Sequence, residues 1–123
     1  LEAKATADLL RRQDWLTVRG NHDRWLVEKP LAQMGLSDRA ASGQIGDEER
    51  AWLGALPPSA RLDDVMLVHG TPSDDAQYLT EHVTLHGVFL RTSEEIARDL
   101  GSFDGGLVLC GHTHVPRVVS LSD

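Results

Sequence analysis

Three times this chain runs through a short apolar stretch and breaks at once into a peptide of glycine and histidine. Trp15-Leu-Thr-Val18 leads to Gly20-Asn-His-Asp23, Val65-Met-Leu-Val68 to His69-Gly70, and Leu107-Val-Leu-Cys110 to Gly111-His-Thr-His114. Apolar runs of this length bounded by turn residues read as strands. Alternation of such strands with helical stretches implies a layered α/β chain, in which ligands gather outside the carboxyl ends of strands. Strands sharing that edge, or the edges of two facing sheets, would bring together four of the six histidines. Residues i and i+2 point the same way on an extended chain, so His112 and His114 are expected to face one pocket. Imidazole suits zinc, iron, nickel and copper. Any one of these peptides is an ordinary polar turn; all three, each behind a strand, point to a site.

The segments between them carry their own signals. Ala3 to Gln13 is rich in helix formers, with Leu9 and Leu10 for one face. Trp25 to Met34 reads as a short helix interrupted at Pro30, and Gly35 to Gly46 as loop. Asp47 is the expected cap of a helix whose first turn carries Glu48 and Glu49 and whose apolar face is Trp52, Ala55 and Leu56, stopped by Pro57-Pro58. Arg61-Leu62 and Val65–Val68 flank an Asp63-Asp64 turn and read as a hairpin. Thr92-Ser-Glu-Glu95 is a capping box, and its helix should end at Gly101. Arg117-Val-Val-Ser-Leu121 reads as a last strand. Ser73 to Arg91 carries no clear pattern.

Composition narrows the function. Twelve basic against nineteen acidic residues leave a net charge of −7 in 123 residues. With no basic cluster, strong nucleic-acid binding is not expected. A small phosphorylated substrate remains compatible, because metal ions supply positive charge themselves. No stretch approaches the roughly 20 apolar residues of a membrane span, and no leader peptide is visible, so no membrane association and a cytoplasmic location are expected. The single Cys110 reads as a buried small hydrophobe, and Trp15, Trp25 and Trp52 as core. The length fits one domain over residues 1–123, or part of one.

The ordered set Gly20-Asn-His-Asp23, His69-Gly70 and Gly111-His-Thr-His114 resembles the calcineurin-like metallophosphoesterases. His69-Gly-Thr-Pro72 followed by Tyr78-Leu79 is similar to a group of small bacterial phosphodiesterase-like members. The resemblance implies a layered α/β/β/α sandwich of two mixed sheets, and hydrolysis of a phosphomonoester or phosphodiester with two divalent metals (Mn, Fe, Zn or Ni). It implies that Asn21, His69 and His112 ligate the second metal and His114 the first. His22 would protonate the leaving oxygen, with Asp23 orienting it; a carboxylate fixes the proton of such a histidine. Two metals about 3.5–4 Å apart activate water and polarise the phosphoryl group for in-line attack. Arg24 is a candidate for steadying a phosphate, with a surface salt bridge as its alternative, and Tyr78 for lining the substrate pocket.

Two motifs that this family places before Gly-Asn-His-Asp, an Asp-x-His and a Gly-Asp-x-x-Asp, do not occur in the chain. Gly46-Asp-Glu-Glu-Arg50 lies after Gly-Asn-His-Asp, has arginine where the last aspartate should be, and reads as a helix cap. Asn21, His69, His112 and His114 are neutral ligands, so two divalent ions would meet without a compensating anion. The expectation is therefore a partial domain, incomplete at both ends, that holds at most one metal weakly and is inactive or nearly so alone. The alternative is a non-catalytic metal-binding or protein-binding remnant of the same fold. A mononuclear His-rich barrel is disfavoured by the strand–helix alternation. Exposed strand edges make homo-oligomer pairing plausible. His82 and His86 lie four apart, as on one face of a helix, but Val83, Thr84 and Gly87 disfavour a helix there.

Overall fold

Two segments with opposite local preferences divide the chain. The computed structural model describes residues 2–121, which fall into two compact units that adjoin in sequence at Pro57 and Pro58.

The first unit is helical: α1 (Ala3–Arg11), α2 (Asn21–Glu28), a single 3-10 turn (Leu31–Gln33), α3 (Leu36–Ser42) and α4 (Asp47–Ala55). Leu26, Met34, Ile45 and Leu53 form its core, with Ala3, Ala41, Trp52 and Leu56 packed against them. Each such large side chain contributes about 1.5–3 kcal/mol on full burial. Arg50 closes two helix ends, donating to the carbonyls of Leu26 at 2.6 Å and Ser42 at 2.8 Å. α2 stops ahead of Pro30, whose ring excludes helical backbone at the preceding Lys29, and that residue is extended (ψ 138°).

Four expectations fail in this unit. Trp15–Val18 forms no strand; Arg19 N–H donates to Pro57 O at 2.8 Å instead. A strand needs a neighbour to take its backbone groups, and no strand lies in this unit among the described residues. Trp15 is 63% exposed rather than core, whereas Trp25 and Trp52 are half-buried. Gly35 to Gly46 is not loop but contains α3, whose flanking glycines disguised it. The α4 cap is not Asp47: Gly46 is the N-cap residue and its N–H donates to Glu49 Oε2 at 2.7 Å. Glu49 also receives Lys4 and Arg11 from α1, each at 3.1 Å.

The second unit holds β1 (Ser59–Leu62), β2 (Val65–Val68), β3 (Glu81–Thr84), β4 (Gly87–Leu90), α5 (Ser93–Leu100) and β5 (Leu107–Leu109). The expected β1–β2 hairpin is present, with Asp63 in left-handed backbone (φ 52°) at the turn. β5 pairs parallel to β2, with Val65 opposite Leu107 and Leu67 opposite Leu109. This three-stranded sheet is mixed; β3 and β4 form a separate antiparallel pair, so only one of the two sheets is mixed. The Thr92–Glu95 capping box opens α5, with Thr92 N–H donating to Glu95 Oε2 at 2.8 Å, and Gly101 (φ 61°) ends it. Val68, Leu79 and Ile96 are the buried apolar residues.

Arg117–Leu121 forms no strand. Val118 lies 96% exposed and the Arg117 guanidinium engages Glu81 at 2.5 Å. Cys110 is exposed, because β5 ends one residue earlier, at Leu109, which is itself half-exposed.

Candidate functional site

The first chemically loaded peptide opens a helix rather than a turn. Gly20 is the extended N-cap residue of α2, and Asn21, His22 and Asp23 form its first turn. Asp23, the expected partner of His22, bonds the cap of its own helix. Its Oδ2 accepts the Gly20 N–H at 2.9 Å, the usual task of an acid at the third helical position. The carboxylate that holds His22 is Asp38 of α3: His22 Nδ1 lies 2.5 Å from Asp38 Oδ1. The Asp38 side chain is 7% exposed and that of His22 57%, so a buried anchor grips an open imidazole.

The His22 and Trp25 rings meet in a T-shaped arrangement at 4.8 Å between centroids, and Lys29 covers Trp25 at 3.6 Å. Asn21 is 2% exposed, and its Oδ1 has no hydrogen-bond partner among the described residues. A buried amide oxygen left in that state costs free energy unless a cation or water completes it. Arg24 donates to Glu28 at 3.4 Å, the salt-bridge alternative.

The other two peptides share an edge. Because β2 and β5 run parallel, His69-Gly70 and Gly111-His112 follow neighbouring carboxyl ends, and Gly111 N–H donates to His69 O at 2.9 Å. The His69 and His112 rings lie 5.0 Å apart. Beyond Gly111 the chain is not extended: His112 (φ 67°) and His114 (φ 56°) are both left-handed. Simple alternation therefore does not place their side chains, and His114 is exposed. Non-glycine residues in this region carry strain that the surrounding structure must maintain.

His112 is maintained from two sides. Its Nε2 lies 3.0 Å from Ala76 O, and a carbonyl only accepts, so Nε2 carries a proton, and in the neutral ring the lone pair is then on Nδ1. Tyr78 stacks on the ring at 4.3 Å and 22°. Tyr78 is thus committed to His112. His82 lies on β3, bonded to Glu95 at 2.9 Å, and His86 in the turn after it, so the two never share a helix face.

The donor chemistry suits a divalent metal at individual positions. Asn21 offers a hard oxygen, and His112 offers a nitrogen whose ring is anchored through the opposite N–H, as ligating histidines commonly are. Among the described residues, no three His, Cys, Asp or Glu side chains form a metal-holding group. Reading the sequence missed Asp38 and the Ala76 carbonyl. Asp38 had one signal, an acid three residues after a glycine; the Ala76 carbonyl had none, since any residue supplies one.

The mixed α/β structure with two small sheets is similar to that of a solved metallophosphoesterase. The crystal structure of a metallophosphoesterase from Sphaerobacter thermophilus superimposes with a TM-score of 0.69 at 25% identity, covering 91% of this chain and 44% of that one. The sequence model of the calcineurin-like phosphoesterases matches residues 2–116. The chain belongs to the calcineurin-like phosphoesterase family. No curated protein matches it significantly. The chain therefore spans less than half of that solved relative. No helix among the described residues is long and apolar enough to cross a membrane.

Proposed function

We propose that this chain carries part of a metal-dependent phosphoesterase active on a small phosphorylated substrate in the cytoplasm, and that residues 1–123 belong to one such domain. The observation that carries this reading is the first turn of α2, where the unbonded Asn21 oxygen adjoins a histidine gripped by Asp38.

With Nδ1–H directed at Asp38, His22 presents Nε2 outward; protonated there, it donates to the oxygen of a departing alcohol. Asp38 keeps that ring in one tautomer and orientation, and its burial keeps water from competing for Nδ1. Asn21, His69, His112 and His114 are the proposed metal ligands. Divalent ions held there supply Lewis-acid polarisation of the phosphoryl oxygens and a nucleophile from water. Manganese is the first metal to try.

The test uses two diesters, bis-p-nitrophenyl phosphate and one with an alkyl leaving group, with Mn²⁺ added. An acid matters most for the poorer leaving group. His22→Gln should therefore slow the alkyl diester by about 100-fold or more and the nitrophenyl ester far less. Measured in the full-length enzyme that contains this chain, equal losses on both esters would overturn the acid role of His22, and no metal-dependent turnover would overturn the phosphoesterase reading. A second reading, a metal-binding module without catalysis, is supported by the buried Asn21 oxygen, which invites a cation but by itself supplies no chemistry. Its signature is Mn²⁺ binding that Asn21→Ala weakens, with no turnover.

A further inference from the structure

Arg91 is bound into the second unit more heavily than an arginine at a strand end needs to be. Its side chain is 6% exposed, and one Nη donates to Asp99 Oδ2 at 2.6 Å. The same nitrogen meets the carbonyls of Tyr78 at 3.1 Å and Leu79 at 3.3 Å, and the other Nη meets Glu95 O at 3.3 Å. Gln77 Nε2 donates to the same Asp99 oxygen at 3.0 Å, and Arg91 N–H donates to Thr80 O at 3.0 Å. Four consecutive residues, Gln77 to Thr80, are thus fastened by an arginine just beyond β4 and an aspartate on α5.

That fastened segment and the residue before it are what His112 rests on. Ala76 supplies the carbonyl that fixes the proton on Nε2, and Tyr78 supplies the ring that fixes the imidazole plane. His112 also sits in left-handed backbone, which clashes sterically for a residue with a Cβ, so its own backbone does not favour this pose. Charge-assisted bonds to a buried guanidinium are short, directional and hard to replace. A lysine offers one point charge where the fork here serves a carboxylate and three carbonyls.

We infer that Arg91 and Asp99 are positioning residues for His112. They hold residues 76–80 so that His112 stays in its Nε2–H form with Nδ1 free to donate a lone pair to a metal. The metal part rests on the phosphoesterase reading; the tautomer part stands without it.

The experiment follows the His112 ring nitrogens by long-range ¹H–¹⁵N correlation in the metal-free full chain, then titrates Mn²⁺ calorimetrically. Wild type should show one tautomer with the proton on Nε2. Arg91→Met should mix the tautomers and weaken Mn²⁺ binding by about 10–100-fold, and Arg91→Lys should recover only part of either. Gln77→Ala removes one bond to Asp99 from an exposed side chain, and serves if Arg91→Met does not fold; it should mix the tautomers partially. A shifted tautomer in chains that never bind Mn²⁺ supports the positioning inference and removes the metal reading. A folded variant that keeps both the wild-type tautomer and the wild-type Mn²⁺ affinity overturns the inference.

Discussion

The two peptides richest in chemistry are held still by different means. Gly20-Asn-His-Asp23 is the first turn of a helix that packs through Leu26 onto a four-residue apolar core. Helix hydrogen bonds and apolar burial place His22, and a single side-chain bond to Asp38 finishes it. Gly111-His-Thr-His114 follows a three-residue strand in a unit where Leu107, Leu109, Val88, Phe89 and Leu90 are each about half exposed or more. Its backbone is left-handed at two histidines, and side-chain and main-chain bonds among residues 76–99 keep His112 in place. A packed helix tolerates small edits, because its position is averaged over many weak contacts. A site pinned by a few directional bonds and close backbone approaches does not.

The largest consequence falls on Gly70. A Cβ there would lie 2.6 Å from the carbonyl oxygens of Asp74 and Gln77 and 2.9 Å from that of Asp75. All three are backbone atoms, so nothing yields cheaply, and the displaced segment is the one that carries Ala76 and Tyr78. Gly70→Ala should lose on the order of 3 kcal/mol of stability. Denaturant unfolding followed through Tyr78, the one tyrosine of the chain, checks it. A loss below about 1 kcal/mol would mean that the loop is looser than the packing around Gly70 indicates.

The same contrast explains what could be read from residues alone. The α1, α4 and α5 helices, the β1–β2 hairpin and the Thr92 capping box follow from local rules, and each is present with small shifts at its ends. Trp15–Val18 and Arg117–Leu121 have strand composition, but composition cannot supply the neighbouring strand that makes one. Asn21, His22, His69 and His112 stood out because histidine beside glycine after an apolar run is conspicuous. Asp38 did not, although it makes the shortest bond to His22, because its role depends on how α2 packs against α3. Backbone carbonyls such as that of Ala76 leave no trace in residue identity.

Acid should affect both units through one shared device. Glu49 is lowered to about 2 chiefly by the Gly46 N–H and then by Lys4, and Glu95 to about 2 chiefly by the Thr92 N–H and then by His82. Both therefore have folded values below the ordinary 4.5. Their stabilisation is complete above about pH 4.5 and is lost as pH falls towards 2. All three tryptophans lie in the first unit, so indole fluorescence follows Glu49 while Tyr78 follows Glu95. Glu49→Gln should flatten the acid transition seen by tryptophan and leave the tyrosine signal alone; Glu95→Gln should do the converse. Acid transitions unchanged by either substitution would show that capping carboxylates do not govern them.

The smallest effect has the opposite sign and comes from the same chemical edit as the largest. Gly54 lies within α4, and a Cβ there would meet only Val27 Cγ1 at 3.6 Å and Cγ2 at 4.0 Å, ordinary contact distances. Val27 is 42% exposed and has room to adjust. Glycine in a helix interior costs about 1 kcal/mol relative to alanine, and less near an end. Gly54 is one residue from the end of α4, so Gly54→Ala should gain about 0.5 kcal/mol. The added methyl extends the α2–α4 contact without moving Asn21 or His22, so Mn²⁺ affinity should stay at the wild-type value. Thermal unfolding read by tryptophan fluorescence measures the gain. A Gly54→Ala protein that loses stability would place α2 and α4 in contact as unforgiving as that around Gly70, and the distinction between a packed and a pinned site would fail.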